Sequence, residues 1–194
     1  MRWRTPSSSP EVTLRPKGHP RPSDPPRSTA GQPIDPEIEA ERTGWADLLA
    51  IVRSLTPDEI AAPGYYSEPD WSVATLVGHV GMWLAEAGIQ LERIEAGTYE
   101  PSDVDIDALN AEFRVALADQ PWSVVLAQAE TSRARLVEVW ARLQPQGGAA
   151  AWWVAKAGAD HYREHLTRLR EWSSELYSRR TDGRYPVARS GAPR

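Results

Sequence analysis

Three of the four histidines in this 194-residue chain are spaced for a shared task. His79 falls three residues after Leu76 and four before Trp83, on what reads as the apolar stripe of a helix. His161 and His165 are four apart, which puts their side chains one turn apart on one helix face, with Cβ atoms roughly 5–6 Å from each other. That spacing suits two imidazoles of one metal centre. A third from a facing helix gives a three-ligand set with an open position for water or substrate. A buried imidazole without a partner costs free energy, and one divalent ion satisfies all three together. The competing reading makes them core residues with separate hydrogen-bond partners. The fourth, His19, lies in a proline-rich segment, and the absence of cysteine leaves histidine and carboxylate as the only ligand types.

His161-Tyr162-Arg163-Glu164-His165 also spells the H-x-x-E-H signature of inverted zinc peptidases. Those enzymes resemble much longer chains with a carboxylate ligand far downstream, and only 29 residues follow His165. The H-E-x-x-H pattern fails as well, because Tyr162 stands where its general base belongs. Glu164 is expected to support a ligand from behind or to be a solvated flank.

The elements that must hold these residues read as helices. Asp35-Pro36 is an N-cap and first-turn pair, followed by Ile38, Trp45, Leu48, Leu49, Val52 and Leu55 at steps of three and four. A short turn starts at Thr56-Pro57 and closes at Pro63-Gly64. Asp70 or Ser72 can cap a second helix with Leu76, Val80, Trp83, Ala87, Leu91 and Ile94 in line, ended by Gly97. Residues 103–118 read as a moderately helical stretch. Pro121 suits the first turn of a helix presenting Val125, Ala129, Leu136, Val139, Trp140 and Leu143. The last helix is expected from about Ala150 to Tyr177. No segment alternates as a strand does, so an all-α fold without a sheet is expected, a four-helix bundle with its longest connection between the second and third long helices.

Charge divides the chain. Residues 1–33 carry +4, residues 34–178 carry −13 and residues 179–194 carry +4, for a net −5. Nine of the 17 prolines fall in residues 1–36, with few apolar side chains to bury, so 1–33 is expected to be a disordered tail and 179–194 a disordered basic one. An acidic body argues against phosphate recognition, hence no nucleic acid partner. No run of about 18 apolar residues exists to span a membrane, and the N-terminus lacks the apolar core of a secretory signal. A cytoplasmic protein is the expectation, with a small molecule as partner and a homodimer compatible with such a bundle.

Trp71-Ser72-Val73 followed by His79 and Trp83, then His161-Tyr162-Arg163-Glu164-His165 with Trp172, resembles the DinB-like superfamily, as do Asp107-Ala108-Leu109-Asn110 and Gln120-Pro121-Trp122. That superfamily includes the mycothiol-dependent maleylpyruvate isomerases and related thiol transferases. The resemblance covers about 36–178 and implies a four-helix bundle with a long crossover, whose metal is held by His79, His161 and His165. In isomerase-like members a glutamate can replace the first group of the last pair, so the all-histidine set is closer to the general DinB-like pattern. A second domain like that of the isomerases proper is not expected after residue 178.

The resemblance implies a metal-dependent transferase of a low-molecular-weight thiol (mycothiol or bacillithiol in type) or a hydrolase, acting on small electrophiles. The ion, zinc, nickel, manganese or iron, would lower the pKa of a thiol cosubstrate so that its thiolate attacks. Tyr162 or Glu164 would support the ligands, and Trp83, Trp152 and Trp153 would line the pocket or belong to the core. A non-enzymatic binder that sequesters a small toxic molecule, as in self-resistance proteins, is the alternative, and a purely structural domain a third. The acidic body yields a direct expectation. Residues 34–178 should bind duplex DNA no tighter than about 10 μM at ~0.15 M salt, and a submicromolar complex with a steep salt slope would contradict it.

Overall fold

The computed structural model describes residues 2–4, 35–67, 70–143 and 146–183. Most of the two segments expected to be disordered lies outside the described residues.

Helix α1 (Pro36–Ser54) starts where the sequence places it. The Asp35 carboxylate accepts from the backbone N–H of Glu37 at 3.0 Å and of Ile38 at 3.3 Å, and Pro36 supplies the first turn. Helix α2 (Pro57–Ala61) opens on a capping box between Thr56 and Glu59. Of the two candidate caps for α3 (Val73–Glu95), Ser72 does the work, accepting from Thr75 N–H at 3.1 Å. Asp70 instead accepts from Gly64 N–H at 3.0 Å. The connection after α3 holds α4 (Ile106–Leu117), capped by Asp105. In α5 (Trp122–Arg142) Pro121 takes the N-cap position, just ahead of the first turn expected for it.

The last helix differs from expectation. It is two helices, α6 (Gly148–Ala157) and α7 (Ala159–Thr181), broken at Gly158 and extending past Tyr177. A Cβ at Gly158 would come within 2.6 Å of the Val154 carbonyl at the end of α6 and 2.9 Å of Glu41 Cγ on α1, so the helix end and the approach of α1 together leave room only for glycine. At the far end Arg180 forms a bidentate pair with buried Glu59 of α2, with Nε donating to Oε1 at 3.1 Å. Burial alone would raise the Glu59 carboxyl, yet the guanidinium and the Thr56 N–H hold it below the usual range.

Two short antiparallel ladders join the helices. One pairs β1 (Arg2–Arg4) with β4 (Asp103–Asp105), the other β2 (Tyr66–Ser67) with β3 (Asp70–Trp71). Runs of two or three residues are too short for alternation to mark them, and they remain connections within an all-α bundle. Helix α3 runs through its middle, packed on α5 along most of its length and on α4 and α6 elsewhere, while α1 lies on α7. The stripe Leu76, Val80, Trp83, Ala87 and Leu91 is buried as expected, each large side chain contributing about 1.5–3 kcal/mol. Residues 96–121, with α4 inside them, form the long crossover.

The α3–α5 contact depends on a missing side chain. A Cβ at Gly81 would lie 2.8 Å from both Cα and Cβ of Ala129, and the Ala129 backbone cannot swing aside. Two turns further along α3, a Cβ at Gly88 would meet nothing within 4 Å. Gly81→Ala should therefore destabilise the fold by about 1–3 kcal/mol through overpacking. Gly88→Ala should be neutral or stabilise by up to about 1 kcal/mol through helix propensity. Urea unfolding of the two variants measures the contrast, and equal midpoints would contradict the packing argument.

Candidate metal centre

His79 projects from α3, and His161 and His165 project from consecutive turns of α7. Their Nε2 atoms converge. His161 Nε2 lies 3.0 Å from His79 Nε2 and 3.1 Å from His165 Nε2, and one ring nitrogen from each of the three falls within 4.8 Å of the others. His79 and His161 are buried, and His165 is mostly so. Among the described residues this is the only such cluster of potential ligands, and no carboxylate belongs to it.

Proton counting shows what the cluster can do. A neutral imidazole carries one N–H, and the central His161 Nε2 can make one linear hydrogen bond, as donor or acceptor, to only one of its two neighbours. Metal ligation uses all three lone pairs at once. Nitrogens about 2.0–2.1 Å from a tetrahedral ion sit about 3.3 Å apart, close to the two short separations here. Ligation through Nε2 leaves each Nδ1 protonated. The Nδ1 atoms of His161 and His165 are buried without a hydrogen-bond partner, although the Ala157 backbone favours the protonated His161 ring. The three residues could hold a divalent ion.

Aromatic rings wall the cluster. The Trp71 ring centroid is 5.0 Å from that of His79 and 6.4 Å from that of His165. Tyr66 lies 6.4 Å from His165 and 5.7 Å from Trp71, edge-on to the indole. Both stand on the β2–β3 ladder, which α7 holds in place. Arg168 Nε donates to the Tyr65 carbonyl at 2.8 Å, and the buried Tyr65 hydroxyl donates to the His165 carbonyl at 3.2 Å. On the inner side, Trp83 stands edge-on to His161 at 6.4 Å while its Nε1 donates to Asn110 Oδ1 at 2.9 Å. Trp152 and Trp153 pack edge-on to each other on α6. In the sequence Trp71 is marked only by the Trp71-Ser72-Val73 run that carries the resemblance, and Tyr66 by nothing beyond its nearness to the cap at Ser72.

Tyr162 and Glu164 part company. Glu164 is exposed. Tyr162 is fully buried, and its hydroxyl donates to Glu41 Oε1 at 2.9 Å rather than to a histidine. Arg133 of α5 grips the same carboxylate through Nε and one terminal nitrogen, both at 2.8 Å. Glu41 thus joins α1, α5 and α7 beside His161. Gly44, one turn along α1, leaves room for the Tyr162 ring, because a Cβ there would come within 2.6 Å of it. A cleft of about 600 Å³ between α1 and α7 is lined by Thr43, Gly44, Arg163 and Arg170 among others and holds none of the three histidines.

The family model of the mycothiol maleylpyruvate isomerase N-terminal domain matches residues 42–187, spanning all three histidines. The chain belongs to this family. A crystal structure of an uncharacterised protein from Escherichia coli UTI89 superposes with a TM-score of 0.59 over 73% of this chain and 92% of that one. At 15% identity the likeness is one of fold. Comparison with curated proteins gives no match. The isomerase N-terminal domain family thus accounts for the helical bundle, and no helix among the described residues is long and apolar enough to cross a membrane.

Burial sets the electrostatics of the cluster. It pushes His79 down to about 3, helped by the nearby His165, and His165 down to about 4. His161 is held well below its ordinary range by burial, then by His79 and His165. In metal-free protein all three stay neutral when folded, whereas in the unfolded chain each takes up a proton near pH 6.5. Their contribution is therefore complete above about pH 6.5 and is lost as pH falls toward 4, by up to about 1.4 kcal/mol per unit for each histidine. Urea unfolding with chelator present between pH 7.5 and 4.5 should show this slope, and His165→Gln should make it shallower. Constant stability across that range would mean the rings are not buried neutral.

Proposed function

We propose that this protein is a divalent-metal-dependent transferase that joins a low-molecular-weight thiol, of the mycothiol type, to a small electrophile. The observation that carries the reading is the convergence of His79, His161 and His165 Nε2 in a cluster without a carboxylate. Three neutral ligands leave a divalent ion its full charge, and such an ion supplies one thing: it lowers the pKa of a thiol in its open position so that the thiolate is available at neutral pH. Family membership supports the thiol, since the family takes its description from a mycothiol enzyme.

The chain's own residues do the rest. His161 and His165 sit on consecutive turns of one helix, so their separation is fixed by helix geometry. His79 is set by the packing of α3. The Tyr66 and Trp71 rings keep water off the adjoining face, which strengthens every electrostatic interaction inside. The depressed imidazoles stay unprotonated at neutral pH, so no proton has to leave before they can ligate.

Equilibrium dialysis of untagged protein against zinc, nickel, manganese and iron(II) tests the site, and conjugation of a thiol to a model electrophile tests the reaction. Wild type should bind one ion per chain at micromolar concentration or below. Alanine at 79, 161 or 165 should weaken binding at least about tenfold, while His19→Ala changes nothing. A wild type that binds no ion overturns the site. One that binds an ion yet conjugates no thiol leaves a binding protein in place of a transferase.

A further inference from the structure

Buried donors without partners mark places where something else must bind, and one such donor stands beside the histidines. Trp71 Nε1 is buried with no hydrogen-bond partner, although the residue as a whole is only half-buried. Its ring is in contact range of both His79 and His165, at centroid distances of 5.0 and 6.4 Å. The Trp153 and Trp172 Nε1 atoms are also buried without a partner, but of these three indoles only that of Trp71 lies in ring contact with the histidines, and two further indoles are satisfied. Trp83 donates to Asn110 at 2.9 Å and Trp140 to Asp35 at 3.2 Å.

Charge indicates what the donor serves. Among the described residues, the carboxylates on the segments around the cluster are engaged or turned away. Glu41 is matched by Arg133 and Tyr162, Asp160 by Lys156 and Arg163, and Asp70 by the Gly64 N–H, while Glu164 is exposed. A divalent ion on three neutral imidazoles would therefore keep an uncompensated double charge in a largely dry setting, which is costly unless the remaining ligand is an anion.

We infer that the indole N–H of Trp71 donates to a monoanionic ligand taking the open side of the three-histidine centre, and that this contact selects hydrogen-bond-accepting anions. The inference rests on the metal reading above. Trp71 is on this view a ligand-binding residue, and the Tyr66 ring packed edge-on against it at 5.7 Å holds the indole in place.

Full-length protein loaded with cobalt(II) provides the test, because visible absorption reports the coordination of the ion and azide is a monoanionic acceptor. Azide should bind wild type with a clear spectral change. In Trp71→Phe its dissociation constant should rise about tenfold, the equivalent of one charge-assisted hydrogen bond, with cobalt affinity within about twofold of wild type. Benzothienylalanine at position 71 keeps the ring shape and lacks the N–H, so it should show the same loss. Equal azide affinity in wild type and Trp71→Phe overturns the inference, as does full affinity in the benzothienyl variant, which would assign the effect to ring shape. Cobalt bound without any azide response in wild type also overturns it and leaves the metal site standing. No cobalt uptake by wild type removes the metal site, and the inference with it.

Discussion

A carboxylate with no exposed surface has to be neutralised where it lies, and in this bundle that requirement falls on Glu41. Its partners come from two other helices, Arg133 on α5 and Tyr162 on α7, so its charge is satisfied only when α1, α5 and α7 are all docked. Its stem also occupies the space beside Gly158 where any other residue would put a side chain. The break between α6 and α7 and the rotation of α7 about its axis are thereby tied to one buried ion pair. Tyr162 follows directly after His161. Holding the tyrosine toward α1 and α5 turns the histidine toward α3, where His79 stands. Such pairs are weak sources of net stability, but losing one partner leaves a buried charge, so arrangements that separate them are strongly disfavoured.

The second framing contact lies on the opposite side of α7. Arg168 reaches the Gly64 and Tyr65 carbonyls and lies over the Tyr65 and Trp172 rings, while the Tyr65 hydroxyl bonds the His165 carbonyl. Burial holds the Tyr65 hydroxyl protonated far above its usual range, so it remains a donor at any pH the fold survives. The segment that brings Tyr66 and Trp71 over the histidines is thus attached to the same helix that carries two of them. The ligands and their aromatic cover are held to one element, which keeps the site rigid in the way a preorganised centre requires.

Much of this was legible in the sequence, and the reason is periodicity. Stripes of Leu, Val, Ala and Trp at steps of three and four named the long helices, caps such as Asp35 and Ser72 gave their starts, and the histidines fell on those stripes by count alone. An i, i+4 pair on a helix is adjacent whatever the rest of the chain does, so the proximity of His161 and His165 needed no tertiary information. What escaped were features with no repeat to betray them: the strands of two and three residues, the break at Gly158, and Arg180, whose place in an arginine-rich stretch gives no sign of its ion pair with Glu59.

The sequence by itself determined that the chain is helical, that three imidazoles sit on buried faces and that no cysteine competes with them. Local chemistry decides each of these, through side-chain spacing, capping and composition. Only the tertiary structure decided that His79 meets the other two, because residues 82 positions apart come together only when α7 docks within reach of α3. It also decided that Tyr162 serves Glu41 rather than a histidine, and that Trp71 faces the cluster with an unanswered N–H. Both turn on which way a helix is rotated and where a loop is pinned. Those are set by close approaches at Gly44, Gly81 and Gly158 and by buried charges that must find each other, and no local pattern in a sequence encodes them.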